Sequence, residues 1–158
     1  GIPNVGKSAL INSLADSSIV KTGNKPGVTR GRQWISITGN IQLLDTPGIL
    51  WPKLIDEDSG YKLALTGAIK DKIFDEELAA YKLIEYIINI DSLVLERFYN
   101  INTVDEQSYD ILALIARKCG CLMSGGRIDR TRTASRIIND YQQGKLGRLS
   151  LEKPGVND

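Results

Sequence analysis

Apolar positions change rhythm along the chain. Leu10, Ile11 and Leu14 follow an i, i+1, i+4 spacing, which predicts a short helix opening at about Lys7. Residues 22–33 hold Gly23, Pro26, Gly27 and Gly31 and read as a loop. Two short apolar runs follow, Trp34 to Ile37 and Ile41 to Asp45, separated by Thr38-Gly39-Asn40; this predicts a hairpin. Thr46-Pro47-Gly48 ends it, and a loop is expected to run to about Gly60. Beyond that point the period becomes helical. Helices are predicted over 61–70 and 75–90, the second with Leu78, Tyr81, Leu83, Ile84, Ile87 and Ile88 on one broad face. Thr103-Val104-Asp105-Glu106 reads as a capping box before Ile111, Leu112, Leu114 and Ile115. A glycine-rich loop over 119–126 precedes a last amphipathic helix over 131–143, with Ile137, Ile138 and Tyr141 inward. The expected domains are 1–60 and 61–158.

Composition narrows the chemistry. The 158 residues are 42% hydrophobic and 25% charged, an ordinary globular balance. No apolar run is long enough to span a bilayer, and no secretory signal is visible at the start. With no histidine, imidazole catalysis and His metal sites are excluded within this chain. Cys119 and Cys121 are too few for a zinc site and do not form a C-x-x-C redox pair, so reduced structural thiols in a cytoplasmic protein are expected. The net charge of +1 conceals +4 over residues 1–53, −8 over 54–116 and +5 over 117–158. Such asymmetry suggests an oriented partner, with phosphates the usual attraction for basic segments. Solvated helix faces are the competing explanation.

The motif that carries chemistry is Gly1-Ile2-Pro3-Asn4-Val5-Gly6-Lys7-Ser8, which fits the phosphate-binding pattern G-x-x-x-x-G-K-[ST]. Glycines let successive backbone N–H groups turn inward around phosphates, and the following helix adds its positive end. Lys7 is expected to reach the β and γ phosphates and the Ser8 hydroxyl to bind Mg²⁺. Asp45-Thr46-Pro47-Gly48 ends an apolar strand 37 residues after Ser8 and matches the D-x-x-G pattern of GTPases. Asp45 would hold the Mg²⁺ shell, and the Gly48 N–H would sense the γ-phosphate. Thr29, in the loop between them, is the candidate switch residue; an ordinary turn residue is the alternative.

No guanine-reading N-K-x-D follows. Asn24-Lys25-Pro26-Gly27 ends in Gly, and Asn102-Thr103-Val104-Asp105 has Thr where Lys is needed. Two strands also fall short of the five or so usual for a complete sheet. A partial domain is therefore expected, with its base reader N-terminal to the phosphate loop.

These segments resemble a known family. G-I-P-N-V-G-K-S at 1–8, P-G-V-T-R at 26–30 and D-T-P-G-I-L-W-P-K at 45–53 are similar to the circularly permuted GTPases of ribosome assembly, the RbgA/YlqF family. The likeness continues through T-G-A-I-K-D at 66–71, G-C-L-M-S-G-G at 120–126 and G-R-L-S at 147–150. It implies an α/β fold, a partial permuted P-loop GTPase domain followed by an all-α domain that contacts ribosomal RNA. It implies GTP and Mg²⁺ as ligands, the large-subunit precursor as partner, a monomer, no membrane and a cytoplasmic location. Carried over by motif, Asn4, Val5, Gly6, Lys7, Ser8 and Ala9 would bind the phosphates. Ser8, Thr29 and Asp45 would serve Mg²⁺, and Lys7, Thr29 and Gly48 would serve hydrolysis. Asn4 resembles the residue that helps hold K⁺ in K⁺-activated GTPases. Ile49 stands where many GTPases place a water-positioning Gln. Arg127, Arg130, Arg132, Arg136, Lys145 and Arg148 form the candidate RNA contact; Arg132 and Arg136 are i, i+4 neighbours. Two alternatives stay open: an RNA-binding module with an incomplete nucleotide site, and another K⁺-activated P-loop GTPase.

Overall fold

The computed structural model describes residues 1–15, 22–23, 28, 31–37, 41–50, 56–69, 74–104 and 106–152. Thr29 and the turn 38–40 lie outside the described residues. The chain divides into two compact units, Gly1–Ile73 and Phe74–Asp158. The division falls later than the expected boundary after residue 60, because the first helix beyond the hairpin groups with the first unit.

In the first unit, helix α1 (Lys7–Leu14) follows the glycine loop, then strands β1 (Gln33–Ser36) and β2 (Gln42–Asp45). The strands pair antiparallel, with Trp34 opposite Leu44 and Ile35 opposite Leu43, as the hairpin reading expects. Opposed residues share a face, so Ile35 and Leu43 point one way and meet Ile11 of α1. Leu10 and Leu14 are exposed, and Ile11 alone of the three meets the strands. Helix α2 (Glu57–Leu65) begins earlier than the expected 61. The Asp56 carboxylate caps it, accepting from the Ser59 N–H at 2.7 Å and the Ser59 hydroxyl at 2.9 Å. Gly60, read as the end of a loop, thus lies inside the helix.

The second unit is built from α3 (Glu76–Asp91), α4 (Leu93–Tyr99), α5 (Ser108–Lys118) and α6 (Arg130–Gln142). Helix α3 packs on α4, α5 and α6, and α5 packs on α6. Ala79, Ala80, Leu83, Ile84 and Ile87 of α3 are buried with Leu95, Ile111, Leu112, Ile115, Ala134 and Ile137. Leu78, expected on this face, is exposed, and the two alanines take the close-packed positions instead. Asp75 caps α3 by accepting from the N–H groups of Glu77 and Leu78 at 2.9 and 3.1 Å.

Helix α4 has no counterpart in the sequence reading. Asp91 separates it from α3 by accepting the Leu93 N–H at 3.0 Å, and Asn100 ends it with φ 51°. The capping box at Thr103 does not form. Both the N–H and the hydroxyl of Thr103 donate to the Glu96 carboxylate, at 3.0 and 2.8 Å, and α5 starts after Gln107. Hydrogen bonds to an ionised acceptor are stronger than a neutral cap. They also hold the Glu96 carboxyl below its usual pKa, the Thr103 N–H contributing most. Between α5 and α6, Leu122 and Ile128 form a single antiparallel bridge around a short turn at Ser124–Gly126.

Candidate phosphate and magnesium site

The phosphate loop is shaped by two residues with left-handed backbones, Asn4 at φ 57° and Gly6 at φ 82°. Asparagine is one of the few side chains that visit this region readily, and glycine does so at no steric cost. Gly6 is the N-cap of α1, and no side chain caps that helix end. Among the described residues the first turn of α1 therefore faces the loop without a side-chain cap, an arrangement that suits an incoming phosphate. Asn4, Val5, Gly6 and Ala9 are exposed along it.

Lys7 folds back over its own loop. Its Nζ donates to the Ile2 carbonyl at 2.5 Å and lies 3.5 Å from the Gly1 carbonyl. Two neutral acceptors hold the ammonium where a phosphate oxygen, carrying full charge, would compete for it. Next to it, the Ser8 hydroxyl donates to Asp45 Oδ2 at 3.1 Å. Asp45 is 1% exposed at the end of β2, so the strand delivers a buried carboxylate to the start of α1. A hydroxyl and a carboxylate are hard oxygen donors. They suit Mg²⁺, which takes one or two protein oxygens and completes its shell with phosphates and water. Among the described residues no group of three or more His, Cys, Asp and Glu stands together as a metal cage.

The segment after β2 is seated on the phosphate loop. A Cβ built on Gly48 would lie 2.5 Å from Pro3 Cα and 2.6 Å from Pro3 N, so only glycine fits there. The Ile49 N–H donates to the Gly1 carbonyl at 3.0 Å. Lys7, Ser8, Asp45 and Gly48 thus come together from three elements. Thr29 is outside the described residues, and Ile49 itself is 76% exposed. The sequence reading passed over Pro3, because a contact between segments so far apart leaves no local pattern.

The six basic residues of the second unit have three different environments. Arg127, Arg132 and Arg148 are exposed and form no ion pair among the described residues. Arg130 is partly buried. It donates to the Tyr81 hydroxyl at 2.6 Å, lies 3.4 Å from Glu77 and stacks 4.2 Å above the Tyr109 ring. Arg136 and Lys145 both reach Asp140, at 3.6 and 2.9 Å. Asp140 is 3% exposed and also accepts from the Tyr99 hydroxyl at 3.1 Å. Burial, and then the Asp140 carboxylate, push the Tyr99 phenol well above its usual pKa, so it remains a donor throughout the ordinary pH range. Asp129 likewise serves the fold, capping α6 through the Arg132 N–H at 3.0 Å. Burial raises the Cys119 thiol pKa, as suits an inert thiol.

Comparison with known proteins adds the family. Residues 1–119 match the family described as 50S ribosome-binding GTPase. The chain is 44% identical over 154 residues to ribosome biogenesis GTPase A of Priestia megaterium, covering 98% of this chain and 54% of that protein. Among solved structures it is similar to GDP-bound TM YlqF, with TM-score 0.67 and 29% identity over 98% of this chain and 58% of the other. GNP-bound YlqF from T. maritima gives TM-score 0.65 and 29% identity over 97% and 57%. The chain spans about half the length of the curated relatives it matches. No helix among the described residues is long and apolar enough to cross a membrane. The match runs through the glycine loop, α1 and β2, the elements that assemble Lys7, Ser8, Asp45 and Gly48, and the chain belongs to the 50S ribosome-binding GTPase family.

Proposed function

We propose that this chain carries the phosphate and Mg²⁺ half of a GTPase that hydrolyses GTP to GDP and phosphate during assembly of the large ribosomal subunit. The observation that supports it best is the 3.1 Å contact between Ser8 and the buried Asp45 at the mouth of the phosphate loop. Backbone N–H groups from Asn4 to Ala9 would surround the phosphates. Lys7 would leave the Gly1 and Ile2 carbonyls for the β and γ oxygens. Ser8, Asp45 and Thr29 would hold Mg²⁺, which when bound neutralises charge across those oxygens. The Gly48 N–H would meet the γ-phosphate, and Thr29 would close over it and open again after hydrolysis. Ile49 has no group to orient water, so turnover by the protein alone is slow and depends on its ribosomal partner. Asn4 would help hold K⁺ beside the phosphates, supplying charge that an arginine supplies elsewhere; equal turnover in K⁺ and Na⁺ would remove that ion from the account.

The G domain is proposed to be circularly permuted, with the base-reading motifs on the N-terminal side of the phosphate loop. The support is the RbgA/YlqF likeness and the lack of an N-K-x-D after an apolar strand within these 158 residues. The helical unit is proposed to contact ribosomal RNA, in a cytoplasmic protein that acts as a monomer. Arg127, Arg132 and Arg148 are the direct phosphate contacts in this reading. Arg130, Arg136 and Lys145 also hold the surface in shape, since each already has an internal partner.

Binding of the full-length protein to large ribosomal subunits, titrated with salt, tests both halves. With a non-hydrolysable GTP analogue it should bind more tightly than with GDP. Log affinity should fall linearly with log salt, and Arg127→Ala together with Arg132→Ala should flatten the slope by roughly one to two units. Equal affinity in the two nucleotides would contradict the GTP coupling. An unchanged slope in the double variant would assign these arginines to a solvated face.

A further inference from the structure

Pro3 differs from its neighbours in the phosphate loop. Gly1, Ile2, Asn4, Val5 and Gly6 are exposed, while Pro3 is partly buried. Gly48 lies against it. Besides the close approach to Pro3 Cα and N, a Cβ on Gly48 would come within 2.9 Å of the proline ring at Cγ. The hydrogen bond from the Ile49 N–H to the Gly1 carbonyl flanks this contact. One packed contact and one hydrogen bond therefore tie residues 48–49 to residues 1–3.

The residue type suits a fixed seat. The pyrrolidine ring locks φ near −65°, so the surface offered to Gly48 does not change shape. Its nitrogen carries a ring carbon instead of a proton, which keeps the contact apolar. Gly48, without a side chain, lies flush on that surface. A rigid residue on one side and a bare backbone on the other leave little freedom in where the Gly48 N–H can sit.

We propose that Pro3 is a positioning residue for the triphosphate-bound state: it fixes the Gly48 N–H at the place a γ-phosphate oxygen must reach. This rests on the nucleotide reading given under Proposed function. Pro3 touches neither nucleotide nor metal and acts through Gly48. GDP carries no γ-phosphate, so its binding does not draw on this contact. The tie between Pro3 and Gly48 therefore sets how strongly the protein distinguishes a triphosphate from a diphosphate. Removing the ring frees the loop backbone and unseats Gly48, which must then be ordered by the γ-phosphate itself.

The experiment is an equilibrium titration of the full-length protein and its Pro3→Ala variant with GDP and with guanylyl imidodiphosphate, both in Mg²⁺. The variant should bind the triphosphate analogue about tenfold more weakly while its GDP affinity stays within about threefold of the parent. The GDP arm reports whether the loop is still formed. Equal weakening toward both nucleotides would make Pro3 a structural loop residue, and unchanged affinity toward both would leave the contact without a role. Either result overturns the proposal. A parent protein that binds neither nucleotide would overturn the nucleotide reading itself, a failure the same titration shows separately.

Discussion

Replacing Lys7 with alanine in the full-length protein should slow single-turnover GTP hydrolysis by about 10² or more. The ammonium sits over the phosphate loop, held by the Ile2 carbonyl at 2.5 Å with that of Gly1 at 3.5 Å. In the proposed site this would place it close to where charge develops on the transferred phosphoryl group. Phosphoryl transfer relies on positioning and charge neutralisation more than on a strong base. With Ile49 where many GTPases place a water-positioning Gln, charge from Lys7 and the metal would be a large share of what remains. Lys7 is not part of the apolar core, so the variant should still fold and keep its unfolding midpoint. A single-turnover rate within about threefold of the parent would contradict the role given to Lys7.

Asp140→Ala should destabilise the helical unit by about 2–3 kcal/mol. The carboxylate is almost fully buried yet meets three donors: the Tyr99 hydroxyl, Arg136 and Lys145. Arg136 and Lys145 are half exposed and return to water when it is removed. Tyr99 is 6% exposed and has no such exit, so its hydroxyl would be left buried without an acceptor. That unsatisfied donor is the main cost, since the two surface cations contribute little each. Urea unfolding of the parent, Asp140→Ala, Tyr99→Phe and the double variant separates the terms. Asp140→Ala should cost clearly less in the Tyr99→Phe background, where no hydroxyl remains to be stranded. The same loss in both backgrounds would show that Tyr99 and Asp140 are not coupled.

The parts legible in the sequence are those with short-range causes. The glycine spacing before Lys7, the apolar runs around residues 38–40 and the period of α3, α5 and α6 are local patterns, and each names its own element. Even the 37-residue step from Ser8 to Asp45 was readable, because both ends carry recognisable motifs and a strand delivers the second. The remainder depended on partners far along the chain or on competition between local choices. Asp56 outweighs Gly60 in fixing where α2 begins, because a satisfied cap and an acidic first turn offset one glycine. Thr103 gives up its capping role because Glu96 is within reach. Asp91 accepts the Leu93 N–H where α4 begins, a helix that no apolar spacing announced. Asp140, Arg130 and Pro3 are typed correctly by sequence as acidic, basic and loop-forming. Their roles come from Tyr99, Tyr109 and Gly48, which no spacing rule brings to them.

The most direct measurement is a titration of the full-length protein with GTP and with ATP, each in Mg²⁺ and again after Mg²⁺ is removed. The phosphate loop and the Ser8–Asp45 pair predict saturable GTP binding that weakens by about tenfold or more without the metal, and a base reader on the N-terminal side, as proposed, predicts ATP binding weaker by at least a similar factor. Binding of neither nucleotide, or GTP binding indifferent to Mg²⁺, would contradict the account.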